Sequence, residues 1–324
     1  MELAAVVMVP DQKDFASVNQ SGLHALPLRP LSSPLLPILG NEVLHTWIER
    51  IRKLGVSKLW LTSLREREIC SGLGKLFQQG VERFLMVKLK SYAEMDLADV
   101  FRFHCQGQNS VTDVEDSKGQ LGVSILDGAA SPAIAREPES SNILPYTESA
   151  KYAFRGYAKR ILSSRERQAL IGDALTGACA MRPLGKEVRE QVWIGKGVSL
   201  ADSAKILGPT YIGDRTVVRA GAVIGPFASI EHDCIVDCGT RVQESTVLPC
   251  TYIAPGLLIR HALLNAGHLE DLQRNVIADI EAAGLAGKMQ SRGSSARPFE
   301  SSPLAAHPSW ENSPSSSKWH EVML

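Results

Sequence analysis

Between residues 192 and 253 an aliphatic side chain returns every six positions without a miss: Ile194, Leu200, Ile206, Ile212, Val218, Ile224, Ile230, Val236, Val242 and Leu248. Four residues after each stands Val198, Ala204, Thr210, Thr216, Ala222, Ala228, Cys234, Thr240, Thr246 or Tyr252, all small or β-branched except the last. A period of six matches neither the turn of a helix nor the alternation of a single strand. It fits a solenoid in which each hexad forms one flat side of a coil, with the aliphatic residue pointing inward. Neighbouring coils then pair through parallel backbone hydrogen bonds. Gly195, Gly208, Gly213, Gly221, Gly225 and Gly239 are expected at corners that a Cβ would crowd.

The pattern of an aliphatic residue, often a glycine, two free positions and then a small residue resembles the hexapeptide-repeat left-handed β-helix. In that family three hexads complete a coil, and the left hand is implied by the resemblance alone, because the general rule for parallel crossovers gives the opposite hand. The ten aliphatic residues are the expected core of the prism. Beyond Tyr252 the period fades, and Pro255 to Ala283 is expected to close the open end through a strand or two and a short helix.

Composition narrows the function classes. Basic and acidic side chains balance at 35 each, so no clustered positive charge argues for nucleic acid or an anionic membrane as partner. The opening MELAAVVMVP lacks the basic n-region of a secretory signal, and no apolar run approaches spanning length; a cytoplasmic chain is the expectation. The six cysteines form no CxxC pair, which favours reduced thiols over disulfides or zinc. Cys234 occupies a small-residue position of the repeat and reads as core.

Ahead of the repeat the chain alternates strand and helix. Ala4 to Val9 reads as a buried strand. Leu44, Trp47, Ile48, Ile51 and Leu54 fall at helical spacing up to Gly55, and Val56 to Leu61 is a second strand. A helix with Ile69, Leu73, Leu76 and Phe77, a strand from Phe84 to Leu89, and a helix with Met95, Leu97, Val100 and Phe101 follow. A strand from Leu121 to Asp127 completes this part. Such alternation predicts a parallel α/β sheet with ligands beyond the carboxyl ends of its strands. Tyr152 to Ile161 and Arg165 to Leu175 read as two further helices, the second capped by Ser164, covering the sheet or the first coil near Trp193.

AAVVMVP, followed by Pro34-Leu35-Leu36-Pro37-Ile38-Leu39-Gly40 and a helix closed by Lys53-Leu54-Gly55-Val56, resembles the opening of the sugar-1-phosphate nucleotidyltransferases, or NDP-sugar pyrophosphorylases, such as the mannose-1-phosphate guanylyltransferases. Members of that family often carry a hexapeptide β-helix behind the catalytic domain. The resemblance implies an α/β plus β-solenoid fold class: a truncated Rossmann-like nucleotidyltransferase domain followed by a left-handed parallel β-helix. The expected organisation is a degenerate α/β domain over 1–130, a linker and helices over 131–190, the β-helix with its cap over 191–285 and a disordered Ser/Pro-rich tail over 286–324.

Three departures from the family bear on chemistry. Its Gly-rich phosphate loop corresponds here to Pro10 to Pro30, which holds one glycine, Gly22. Its lysine before Pro-Leu-Leu-Pro is replaced by Ser32-Ser33. Its Gly-Asp, whose carboxylate holds Mg²⁺, is replaced by Lys88-Leu89-Lys90, which puts cations where the mechanism needs a metal-binding acid. No catalytic set and no cofactor follow, with Mg²⁺ implied only for an active site. Lys13, Arg29, Lys88 and Lys90 are the basic groups that could still meet a phosphate.

The leading expectation is a non-catalytic nucleotide-sugar-binding, regulatory or scaffolding subunit of nucleotide-sugar and surface-polysaccharide metabolism. Its expected partners are a nucleotide sugar, copies of itself, or an active nucleotidyltransferase homologue. The alternatives are an active nucleotidyltransferase with a divergent site and a hexapeptide acyltransferase using His232, His261 or His268 as general base. A purely structural assembly module, contacting copies of itself through coil faces and the sheet edge at the solenoid's end, is a third and compatible expectation.

Overall fold

The structure, a computed structural model, describes residues 3–9, 35–56, 58–62, 73, 77, 80–128, 149–281 and 283–289, and the backbone of 319–322. In chain order the first part contains β1 (Leu3–Met8), α1 (Val43–Lys53), β2 (Lys58–Thr62), β3 (Arg83–Lys88), β4 (Ser91–Ala93), α2 (Leu97–Gln106), β5 (Val111–Asp116), β6 (Gly119–Asp127), β7 (Ala150–Ala153), β8 (Ala158–Arg160) and α3 (Ser164–Leu175).

β1 is apolar throughout because both its faces are covered. Leu3, Ala5 and Val7 meet α1 and α2 in the main core, while Ala4, Val6 and Met8 pack with Trp60, Leu73, Phe84 and Met86 on the other face. β2, β1 and β3 are parallel neighbours. Beyond them the sheet is mixed: β6 is antiparallel to β3, β5 antiparallel to β6, and β7 parallel to β5. The expected parallel sheet is therefore mixed: β2, β1 and β3 run parallel, and β5 and β6 pair antiparallel as a short hairpin over Asp116 to Gly119.

Three expectations in this part are corrected. Tyr152 to Ile161 is two strands and not a helix; Tyr152 and Phe154 face the core two residues apart, which is strand spacing, and β5 and β4 supply the pairing edges. α3 is capped by Ser163, whose hydroxyl accepts from the Glu166 amide while the Glu166 carboxylate accepts from the Ser163 amide, a capping box that frees Ser164 to donate to Glu270 at 2.6 Å. The expected disordered tail includes a strand, Trp319–Val322, antiparallel to β2 at the sheet edge; residues 290–318 lie outside the described residues.

From residue 192 the chain winds into a three-faced parallel β-helix. One face stacks Val192–Ile194, Thr210–Ile212, Ala228–Ile230, Thr246–Val247 and Ala262–Asn265. The second stacks Ser199–Leu200, Val217–Val218, Ile235–Val236 and Thr251–Ile253; the third stacks Lys205–Ile206, Val223–Ile224, Arg241–Gln243 and Leu258–Arg260. Ile212, Val218, Ile224, Ile230, Val236 and Val242 fill the interior. Ile206 is half-buried and Leu200 is 37% exposed, because their strands have a neighbour on one side only, and Ile194 is half-buried beside the antiparallel strand Lys186–Arg189.

The period also shortens by one. Ile212 faces Ile230, but Ile230 faces Val247 and Val236 faces Ile253. Val247 thus continues the interior stripe, and Thr251 takes the small-residue place expected for Tyr252. Leu248 is buried, but in a separate cluster with Leu263 and Leu272, partly covered by Leu36. The tight corner at Glu244, with φ 48°, accommodates the missing residue. The prism is closed by strands rather than by the expected strand and helix: Lys186–Arg189 pairs antiparallel with Val192–Ile194, His268–Asp271 and Val276–Asp279 extend one face, and Ala286–Lys288 pairs with Thr251–Ile253.

Candidate functional site

Two parts of the molecule meet at a tight turn. Ile38 and Asn41 exchange backbone hydrogen bonds, and between them Leu39 (φ 54°) and Gly40 (φ 79°) are both left-handed, so their two amides point the same way. Glu231, fully buried and adjacent to the interior residue Ile230, receives them: the Leu39 amide donates at 2.8 Å and the Gly40 amide at 3.0 Å, with Ser229 Oγ donating at 3.2 Å. Arg167 of α3, also buried, donates to the carbonyls of Leu36 and Pro37. Burial pushes the Glu231 carboxyl up, opposed by the Arg167 charge, and burial pulls the Arg167 guanidinium down to about 10, opposed by Glu231. A carboxylate of the β-helix and a guanidinium of α3 therefore hold the Leu36–Gly40 segment from both sides.

α3 packs Leu170, Ile171, Ala174 and Leu175 into the core beneath the sheet, one of the two places expected for it. Its Gln168 bridges later coils, with Nε2 donating to the Phe227 carbonyl at 3.1 Å and Oε1 accepting from Thr246 Oγ1 at 2.6 Å, while Arg165 donates to the Leu272 carbonyl. Trp193 packs against the α/β core. Between α3 and the β-helix lies a cleft of ≈ 510 Å³. Its wall is one corner of the prism, where Phe227, Glu244 and His261 stack on successive coils, each left-handed at φ 54°, 48° and 49°. Glu244 Oε2 lies 3.1 Å from His261 Nδ1. The arrangement orients an imidazole by a carboxylate at the edge of a pocket large enough for a small molecule.

Of the residues singled out from the sequence, Lys13 and Arg29 lie outside the described residues. Lys88 and Lys90 sit together on the turn after β3, at the carboxyl end of the parallel strands: the Lys90 amide donates to the Lys88 carbonyl at 2.6 Å, and the Lys90 side chain is exposed with no ion-pair partner among the described residues. The turn offers no side-chain oxygen for a divalent ion. Leu89 is buried and the hydroxyl of Ser91 donates to the Leu121 carbonyl. A magnesium ion of the kind the nucleotidyltransferase resemblance implies does not fit this donor set. The three histidines are scattered: His232 lies at a different corner beside Asp233, His261 lines the cleft, and His268 sits in the antiparallel extension.

Residues 191–226 match the bacterial transferase hexapeptide (six repeats) family. This stretch is a hexapeptide repeat. The hexapeptide register continues past the matched residues through the pairings of Ala228–Ile230 to Leu258–Arg260, with the one-residue shortening before Val247. Comparison with curated proteins gave no significant match.

Sequence reasoning did not find Glu231, Arg167 or the Glu244–His261 pair. Glu231 follows an interior aliphatic and reads as a solvated outward position until the Leu36–Gly40 turn covers it. The only local signal was the charge itself, in a repeat whose neighbouring coils place Gly195 and Gly213 at the equivalent site.

Proposed function

We propose that this protein is a non-catalytic, nucleotidyltransferase-like subunit of nucleotide-sugar and surface-polysaccharide metabolism. In this reading it binds a nucleotide sugar or supports an active homologue, and the left-handed hexapeptide β-helix is its rigid platform. The observation that carries the reading is the turn after β3, where Lys90 presents an exposed ammonium at the strand end and Lys88-Leu89-Lys90 offers no carboxylate for a metal. Nucleotidyl transfer depends on neutralising the triphosphate with a metal ion, and this turn attracts a phosphate without supplying the metal. Lys90, with Lys88 beside it and Lys13 and Arg29 as further candidates, contributes a diphosphate-binding charge. The firm joint between the Leu36–Gly40 turn and Glu231 supports a scaffold whose halves do not move apart during a reaction cycle.

The first coil supports self-association as part of the same reading. Ser199–Leu200 and Lys205–Ile206 are the outermost strands of their sheets among the described residues, and Leu200 and Leu207 are 37% and 45% exposed beside them. The deciding experiment is incubation of the full chain with Mg²⁺, a sugar 1-phosphate and each nucleoside triphosphate. No pyrophosphate above background is expected; steady release at enzyme-like rates would overturn the reading.

A further inference from the structure

The three corners of the prism are not alike. One is turned by a ladder of glycines, Gly221, Gly239 and Gly256, all at positive φ. Another, away from the cleft, begins at Gly197 and then places Arg215, Asp233 and Cys250 on successive coils at φ 57°, 56° and 58°. Left-handed backbone is unfavourable for a Cys or an Arg where glycine would serve. The side chains at this corner converge: His232 Nδ1 lies 2.9 Å from Asp233 Oδ2, and one ligand atom each of His232, Asp233 and Cys250 lie within 4.8 Å of one another. Among the described residues this is the one such group of three or more. The backbone beneath is fixed, since the Asp233 amide donates to the Asp214 carbonyl at 2.8 Å and the Cys250 amide to the His232 carbonyl at 3.1 Å.

We infer that this corner is a binding site for a zinc-class transition-metal ion, ligated by His232, Asp233 and the Cys250 thiolate with one coordination position left open. Sulfur, imidazole nitrogen and a single carboxylate suit a borderline-soft ion and not Mg²⁺ or Ca²⁺, which take oxygen-rich sets. Donors within 4.8 Å of one another must draw together by up to about an ångström to surround an ion at bond lengths of about 2.0–2.3 Å. Thiolate and carboxylate together offset the two positive charges of the ion, and the thiol proton is released to solvent as the metal–sulfur bond forms.

Arg215 enters as a positioning residue. It donates from Nε to Asp233 Oδ1 and from Nη2 to Oδ2, both at 2.6 Å. Metal binding takes Oδ2 from Nη2 and from His232, while the Nε bond to Oδ1 remains and orients the carboxylate from the outer shell.

Cobalt(II) titration of the reduced full-length protein tests the inference. A near-ultraviolet thiolate-to-cobalt band that saturates at one equivalent and is displaced by zinc is expected. Cys250→Ser should abolish the band, and His232→Ala and Asp233→Asn should each weaken zinc binding at least about tenfold in chelator competition. Cys105 and Cys238, the other accessible thiols among the described residues, and Cys70 are controlled for by the same Cys250→Ser protein, whose metal-free circular dichroism should match the parent. Absence of a band in the folded parent, or an equal band in Cys250→Ser, overturns the site.

Discussion

Replacing Glu231 by alanine removes the acceptor for two backbone amides and for Ser229, and leaves the Arg167 guanidinium buried without its counter-charge. Leaving a buried donor unsatisfied costs about 1–3 kcal/mol, so the two orphaned amides together cost about 2–6 kcal/mol, and loss of the Glu231 charge near Arg167 acts in the same direction. Because the loss falls on the joint between the α/β part and the β-helix, it should appear first as local opening. Each ~1.4 kcal/mol is a factor of ten, so exchange of the Leu39 and Gly40 amides should accelerate by roughly a hundredfold or more. Hydrogen exchange read by mass spectrometry or NMR measures this directly, with urea unfolding as the global check. The double variant Glu231→Met/Arg167→Met removes both buried charges but leaves the Leu39 and Gly40 amides without a carboxylate acceptor, so their protection should stay low. Unchanged protection at Leu39 and Gly40 in Glu231→Ala, with stability within about 0.5 kcal/mol of the parent, would refute the reasoning.

Two further outcomes follow from the same structure. Ile224→Ala, at a fully buried interior position, should cost about 2–5 kcal/mol in denaturant unfolding, whereas Leu200→Ser on the open first coil should stay within about 0.5 kcal/mol and shift any self-association seen by sedimentation toward the monomer. Asp116 receives both Arg160 amino groups, at 3.1 and 2.8 Å, and this guanidinium holds its carboxyl below the usual range. A depressed folded-state pKa contributes stability that is present above the ordinary carboxylate pKa of about 4 and lost as pH falls toward the lower folded value. Asp116→Asn should therefore be less stable than the parent near neutrality, and the gap should narrow in unfolding measured from pH 4 downward; a gap independent of pH would contradict the pairing.

The N-terminal strands and α1 were legible because β1 is apolar on both faces and α1 keeps Trp47, Ile48 and Ile51 on one side. β7 and β8 depart from the expected helix because strands this short carry little periodicity of their own, and the partner edges that stabilise them belong to β5 and β4. Leu248 leaves the expected interior stripe for a different reason: a one-residue shortening leaves the sequence apolar at both 247 and 248, and only the pairing of Ile230 with Val247 selects between them.

What the sequence determined by itself was the β-helix and its interior, because a side-chain period of six is a local constraint that each coil repeats against its neighbour. Which polar residues become a site was decided in three dimensions. His232, Asp233, Glu244 and Cys250 occupy positions the repeat treats as free, Glu231 a position where neighbouring coils carry glycine, and His261 lies past the sequence period; they differ in what lies across from them: a two-residue turn with paired amides, a helix bounding a cleft, or the next coil's side chain at a shared corner. Those neighbours come from distant parts of the chain, so burial, partner and charge state at each position were set by packing that no local pattern encodes.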